Sequence, residues 1–358
     1  MATKQIARVL IYRVGSIGDF VIALPCFHAV RRRYPNAQIA LLTNMPADAR
    51  ASFASCVLEN TGLVDKILPY SAPLSVLEVR RQIRSFSPGL LVYLADRLSA
   101  ASSYRDYAFF RWACGVKRCV GIPFLPSEQK IRPPKVKGGL WESEAARLAR
   151  CLAPHFGAID VSDAKNCDLR LSPRECAEAE SVLRGGLASQ FGQMPILGLS
   201  IGTKQLSNDW GIANWRAVLE GLRNLPVALV FLGGDYDRSP SQTLVETWKG
   251  PAANLCGSVS PRVSAAILRH VALFLCHDSG PMHLAAAVGT PCIAVFSRLF
   301  PPGRWYPFGS HHRIFYPPSS QSTIQAIRPE TIIAAVQERL RDSADNIVAP
   351  QHWAMAAR

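Results

Sequence analysis

Short apolar, β-branched runs alternate with amphipathic segments along this chain, and the alternation runs through twice. The first series is ARVLIYRV (7–14), QIALLT (38–43), VDKILPY (64–70), LLVYLA (90–95) and RCVGIP (118–123). Between the first two lies a helical pattern over 21–34, with Leu24, Phe27, His28 and Val30 near one face. The second series is MPILGLSIG (194–202), VALVFLGG (227–234), VALFLCHDSG (271–280) and PCIAVFS (291–297). Helices are predicted there over 215–223, near 244–248 and from 282. Fully apolar strands joined by helices cannot form an open antiparallel sheet with a wet face. They predict βαβ units, a parallel sheet and helices on both sides.

At 358 residues and 49% hydrophobic content the chain can fill two cores. The predicted divisions are a first domain over 1–180 and a second over 190–328, the boundary falling in the polar stretch 171–193 that contains Gly185 and Gly186. A last helix over 329–343 carries Ile332, Ile333, Val336 and Leu340 on one face and is placed to cross back onto the first domain, followed by a loose tail over 344–358. No apolar run approaches the roughly 18 to 20 residues of a membrane span, and Arg8 and Arg13 interrupt the N-terminal stretch, so a cytoplasmic protein is expected. The ten cysteines are scattered, with no CxxC pair and no zinc-ligand spacing, and read as reduced core residues; no metal site is expected.

The net charge of +14 is uneven: residues 1–175 hold 25 Lys and Arg against 14 Asp and Glu. Such a half suits an anionic partner, whether nucleic acid, a phosphorylated small substrate or the anionic face of a membrane. Arg31–Arg33, Arg80, Arg81 and Arg84, and the run 132–137 read equally well as solvated faces. A Walker A loop, a G-x-S-x-G elbow, an H-E-x-x-H pair and a G-x-G-x-x-G turn after the first strand are all missing, as is any nucleic-acid reading module.

In parallel sheets ligands collect where strands end and helices begin. Three such loops carry polar chemistry. RVGSIGDFVIALP (13–25) turns on Gly15, Ser16 and Gly18 and sets Asp19 at a helix start, where it either caps the helix or faces a ligand. CHDSGPMHLAAAVGTP (276–291) sets Asp278, Ser279, Gly280, Met282 and His283 at a second helix start, whose free amides and dipole suit a diphosphate. SIGTKQLSNDWGIANW (200–215) offers Thr203 and Lys204 to phosphate oxygens, with Trp210 and Trp215 as core anchors.

In their order and spacing these three loops resemble glycosyltransferase family 9, the heptosyltransferase-like enzymes of lipopolysaccharide core assembly, over roughly residues 7–340. The resemblance implies a GT-B fold, an α/β architecture of two Rossmann-like doubly wound domains whose parallel sheets face each other across a cleft. It further implies a metal-independent, inverting transfer with no cofactor, from a nucleotide-diphosphate sugar, ADP-heptose being expected, to an anionic glycolipid or oligosaccharide acceptor. In that reading Asp19 is the general base, and Ser16 and Gly18 form the acceptor loop. Thr203, Lys204, Asp278, Ser279, Gly280, Met282 and His283 hold the donor diphosphate, and Asp235, in LGGDYD, meets the ribose. Peripheral contact with the cytoplasmic face of an inner membrane is expected, and nucleic acid is not.

Three positions depart from the family pattern: Asn208 stands where a lysine is usual, Phe20 follows Asp19 in place of a small residue, and Gly211 replaces a proline. A GT-B epimerase or hydrolase, and a nucleotide-sugar-binding protein without transfer activity, are the alternatives.

Overall fold

In the computed structural model, which describes residues 6–45, 54–71, 76–95, 99–191 and 194–345, each predicted apolar run forms a strand. Strands β1 (Arg8–Tyr12), β2 (Gln38–Asn44), β3 (Lys66–Tyr70), β4 (Leu90–Tyr93) and β5 (Arg118–Val120) build one parallel sheet in the order β3-β2-β1-β4-β5. Strands β6 (Ile196–Ser200), β7 (Ala228–Phe231), β8 (Ala252–Asn254), β9 (Leu273–His277), β10 (Cys292–Val295) and β11 (Arg313–Phe315) build a second, also parallel, in the order β11-β10-β9-β6-β7-β8. The three-residue strands β8 and β11, too short to stand out as apolar runs, extend its edges.

Both sheets are doubly wound. The order reverses beside β1 in the first sheet and beside β6 in the second, so the loops after β1, β6 and β9 all leave the sheets at switch points. There the neighbouring connections diverge to opposite faces and open a crevice. The three polar loops picked out in the sequence are these loops.

Helices α1 (Ile17–Ile22), α2 (Leu24–Arg33), α3 (Val76–Phe86), α4 (Ala100–Ala108), α5 (Pro126–Gln129), α6 (Glu144–Phe156) and α7 (Pro173–Phe191) belong to the first half and the boundary stretch. Helices α8 (Ile212–Leu222), α9 (Arg238–Thr247), α10 (Pro261–Leu268), α11 (Gly280–Ala287) and α12 (Pro329–Asp345) belong to the second. The single helix predicted over 21–34 is in fact α1 and α2, broken at Ala23 two residues before Pro25. A proline ring excludes the carbonyl four residues back, so the chain re-nucleates there.

The final helix corrects an expectation. Ile332, Ala335 and Val336 of α12 are buried with Trp210, Trp215, Leu219 and Leu222, and α12 packs on α8 and β10 of the second half instead of crossing to the first sheet. The apolar face that suggested a crossing is satisfied locally. Of the tail expected over 344–358, Ala344 and Asp345 still belong to α12, and the rest lies outside the described residues.

Cohesion between the halves comes from elsewhere. Phe20 and Val21 of α1 share one buried apolar cluster with Met282 and Leu284 of α11 and with Val263 and Ile267 of α10. Beside it Arg262 of α10, almost fully buried, donates to both carboxylate oxygens of Glu175 on α7 (2.5 and 2.9 Å), to the carbonyls of Leu169 and Arg170 (both 3.0 Å), and across to the Val57 carbonyl (2.7 Å). A guanidinium is tolerated in such a place because its planar fork finds a partner in every direction.

Arg262→Ala is expected to lower the unfolding free energy by about 2 to 3 kcal/mol, because it leaves the carbonyls of Val57, Leu169 and Arg170 without their donor and the half-buried Glu175 with Ser172 alone. Arg262→Lys should restore only part of this, lacking the fork. Urea denaturation of the three proteins measures the difference.

Candidate active site

β1 delivers the chain to Val14, and Gly15 turns it with φ of +137°. A Cβ at Gly15 would lie 2.5 Å from the Asp19 carboxyl carbon, so this position has to be glycine on both counts. The Gly15 amide is held by the Asn44 side chain at 3.0 Å. Ser16 precedes α1, and Asp19 reaches back to it: Oδ2 accepts from the Ser16 amide (2.7 Å) and hydroxyl (3.0 Å). Asp19 therefore does cap its helix.

Capping does not exhaust the carboxylate. Arg13, buried at the end of β1, donates to Oδ1 at 3.2 Å, to the Asp19 carbonyl at 2.9 Å and to the Leu94 carbonyl at 2.5 Å. A carboxylate has about four acceptor positions, and these contacts fill three. One remains on Oδ1, and the side chain keeps 27% of its surface open. Arg13 and Asn44 are parts of the site that sequence reasoning did not assign.

Facing α1 is the start of α11. A Cβ on Gly18 would fall 2.7 Å from His283 Cδ2, and one on Gly280 would fall 3.1 Å from Ile17 Cβ, so the two helices meet at their N-terminal ends with each glycine against a side chain of the other. Asp19, Asp278 and His283 are thereby drawn together, along with Ser279, Gly280 and Met282. Ser279 is extended ahead of α11 and donates to the His277 carbonyl at 3.3 Å; the amides of Gly280, Met282 and His283 are first-turn donors with no acceptor inside their helix. The proline between them has no N–H to leave unpaired.

Charge in this junction is set by dryness. Burial, with the Asp19 charge second, pushes the Asp278 carboxyl up to about 7. Burial holds the His283 imidazole down to about 4, against the pull of Asp19. His283 Nε2 lies 4.0 Å from Asp278 Oδ1, and with a neutral ring this is not a salt bridge. His283 Nδ1 is buried with no partner within the protein, a polar atom left over for something else.

The loop after β6 lies beside that after β9. Its anchor is His277, fully buried at the end of β9, whose Nε2 accepts from the Trp210 amide at 3.0 Å and whose ring meets Trp215 edge-on at 5.2 Å. Burial lowers its pKa to about 4, which keeps that nitrogen free to accept. Trp210 and Trp215 are core anchors as expected, Trp210 donating to the Ile327 carbonyl at 2.9 Å. Thr203 spends its hydroxyl on its own turn with Gln205, and Lys204 is exposed. Asn208, where a lysine is usual, is buried and accepts from Ser297 Oγ at 2.5 Å.

The loop after β7 holds two aspartates in different surroundings. Asp235 is 78% exposed and pairs with Arg238 at 3.1 Å. Asp237 turns inward instead, accepts from the Gly234 amide at 2.8 Å, and has its pKa raised by burial. The two aspartates alternate along one motif, and only burial separates them. All ten cysteines are free, and burial pushes the thiols of Cys26, Cys56 and Cys167 up to about 12, leaving them inert.

Residues 145–328 match the family model for glycosyltransferase family 9 (heptosyltransferase). Lipopolysaccharide heptosyltransferase 3 of Escherichia coli is 30% identical over 126 residues, a match that covers 34% of this chain and 33% of that protein, about a third of its length. Among solved structures, the glycosyltransferase family 9 protein of Veillonella parvula is similar with a TM-score of 0.71 at 17% identity, covering 94% of this chain and 98% of that one. The ADP-heptose lipopolysaccharide heptosyltransferase II of Escherichia coli gives 0.67 at 16% identity, covering 94% and 99%. At these identities the structures share the two-sheet fold.

The raised Asp278 pKa fixes a sign. Its folded value lies above the unfolded one, so its stabilising contribution is complete below about pH 4 and is lost as pH rises to about 7. His277 and His283, with depressed values, work in the opposite direction between about pH 4 and 6.5. Both histidines are retained in Asp278→Asn, so comparison with the parent isolates the carboxyl. The variant should gain on the order of 2 kcal/mol over the parent at about pH 8 and little at about pH 4, read by denaturant titration.

Proposed function

Because the chain belongs to glycosyltransferase family 9, we propose that it is an inverting, metal-independent glycosyltransferase. It moves heptose or a related sugar from a nucleotide-diphosphate donor, ADP-heptose being the expected one, to lipopolysaccharide core or a similar anionic glycan. The observation that carries this reading is the meeting of Asp19 with Asp278 and His283 where α1 abuts α11.

Asp19 is the general base. Its open position on Oδ1 accepts the proton of the acceptor hydroxyl as that oxygen attacks the anomeric carbon from the face opposite the leaving group. Arg13 and Ser16 keep the carboxylate from turning away. A positioned base of this kind contributes about 10² to 10⁴ in rate.

As the glycosidic bond breaks, negative charge gathers on the nucleoside diphosphate. The first-turn amides of α11 and the positive end of its dipole are fixed donors for that charge and need no reorganisation. Lys204, exposed on the neighbouring loop, supplies the cation that Asn208 does not, and Thr203 a hydroxyl. Asp278, neutral over part of the physiological range, donates to a sugar or phosphate oxygen where a second carboxylate would repel it. His283 Nδ1 has the same freedom. Asp235, on the outer loop, is the candidate for the ribose hydroxyls once its pairing with Arg238 opens.

Asp19→Asn should reduce kcat by about 10² to 10⁴ in protein that is still folded at the assay temperature, its melting temperature lowered by the loss of a carboxylate oxygen to Arg13 or Ser16, and a chelator should leave the parent rate unaltered. Transfer is measured with ADP-heptose and a heptose-deficient core oligosaccharide. An Asp19→Asn enzyme as fast as the parent would sink the base assignment. Turnover of the donor without acceptor would favour an epimerase or hydrolase, and nucleotide binding without turnover the binding-protein alternative raised by Asn208.

A further inference from the structure

A cation on a fourth loop has no part in the chemistry above. β9 and β10 are parallel neighbours with Val295 opposite His277, so Ser297 and Arg298 leave β10 beside the point where Asp278 and Ser279 leave β9. Ser297 Oγ donates to Asn208 Oδ1 at 2.5 Å, which ties the loop after β10 to the loop after β6. β9 lies between those two strands, so the tie spans the loop that carries Asp278. Arg298 is the next residue along, and Asn208 brings no charge of its own.

Arg298 is exposed but anchored. Its Nε donates to the Pro317 carbonyl at 3.0 Å, and its guanidinium carbon lies 5.4 Å from the centre of the Tyr316 ring. Tyr316 is itself fixed. Its ring meets the buried Phe296 at 5.7 Å, and its hydroxyl bonds to that of Tyr306, whose ring meets Phe296 at 5.7 Å as well. Pro317 and Tyr316 follow the carboxyl end of β11, so the anchor stands on the same sheet edge as the site.

What the anchor leaves over is the fork. Nη1 and Nη2 of Arg298 have no hydrogen bond or ion pair among the described residues. Arginines that brace loops elsewhere do otherwise: Arg150 and Arg262 spend every guanidinium nitrogen on carbonyls and carboxylates. The start of α11 is also near. Burial first, the Tyr306 hydroxyl second and the Asp278 charge after them raise the Tyr316 phenol, which puts Tyr316 within electrostatic reach of Asp278.

We propose that Arg298 is a ligand of the donor diphosphate, its terminal nitrogens gripping phosphate oxygens from the β10 side while the first-turn amides of α11 hold them from the β9 side. The inference rests on the donor reading above. A planar fork matches two oxygens of one phosphate, and a guanidinium already held by Pro317 and Tyr316 gives up little freedom when the ligand arrives. Lys204 remains the cation of the β6 side, a single point charge without a fork. As the leaving diphosphate gains charge, a cation fixed beforehand stabilises it without rearranging.

Calorimetric titration of the full chain with ADP, GDP, UDP and CDP identifies the nucleoside diphosphate that binds, and that nucleotide and its nucleoside are the probes. Arg298→Met keeps most of the side-chain stem and removes the fork. It should bind the diphosphate at least about tenfold more weakly than the parent and the nucleoside equally well, which also certifies its folding. Arg298→Lys, with the charge but not the fork, should fall between the two. Added salt should weaken diphosphate binding more steeply in the parent than in Arg298→Met. An Arg298→Met protein that binds the diphosphate like the parent overturns the proposal. So does an equal loss on diphosphate and nucleoside, the mark of a residue that only braces its loop. A parent chain that binds none of the four diphosphates strikes the donor reading and this assignment with it, so the parent alone tells the two failures apart.

Discussion

The contact of α1 with α11 is what the rest of the site depends on. Each helix follows the strand at its own sheet's switch region, and each begins with a residue that lacks a side chain at the point of approach, Gly18 on one and Gly280 on the other. Two backbones can then come close enough to share Asp19, Asp278 and His283. A methyl group on Gly18 would enter the His283 ring and one on Gly280 would press on the Ile17 side chain, so the distance between halves is limited by van der Waals contact of each glycine with a side chain of the other helix. The apolar cluster beneath, with Phe20 and Met282 in common, supplies the adhesion, and Arg262 pins the linker and α7 to α10 next to it.

Much of this was legible in the sequence because it is local. A strand of four or five apolar residues followed by glycines and an aspartate is a statement about consecutive positions, and the loops at 13–19, 200–215 and 276–283 all emerged where such statements placed them. What was not legible depends on burial, which single positions do not announce. Arg13 and Arg262 look like any other arginine of a basic chain, yet both are buried and fully engaged. Arg31 and Arg32, part of a run that invited an anionic ligand, pair with Asp65 and Asn166. Asp235 and Asp237 differ only in which side of a turn they occupy. The destination of α12 was equally hidden: an apolar face declares that it will be covered, and says nothing about which half of the molecule covers it.

Departures from the family pattern find their reasons in packing. Phe20 is fully buried against Phe27, with ring centres 6.4 Å apart, so a residue that is elsewhere small here fills the core beneath the junction of α1 and α11. Asn208 is buried and bonded to Ser297, a position where an unpaired lysine would have to be desolvated. Gly211 has φ of +89° before α8, a conformation closed to the proline it replaces. The three changes are thus coupled to their surroundings, and reverting one alone would disturb a contact that now exists.

Electrostatics then decides how two carboxylates so close can coexist. Asp19 has three hydrogen-bond donors and a share of solvent, whereas Asp278 sits in the drier position, where burial first and the Asp19 charge second push its pKa up. His283, near both, is held neutral by the same dryness. Removing water therefore lifts Asp278 well above an ordinary carboxyl and holds His283 neutral, while Asp19 keeps Arg13 as its ionic partner. That division requires the halves to stay closed. Were α11 to withdraw from α1, water would enter, Asp278 would return toward an ordinary carboxyl, and the distinction on which the proposed roles rest would fade with it.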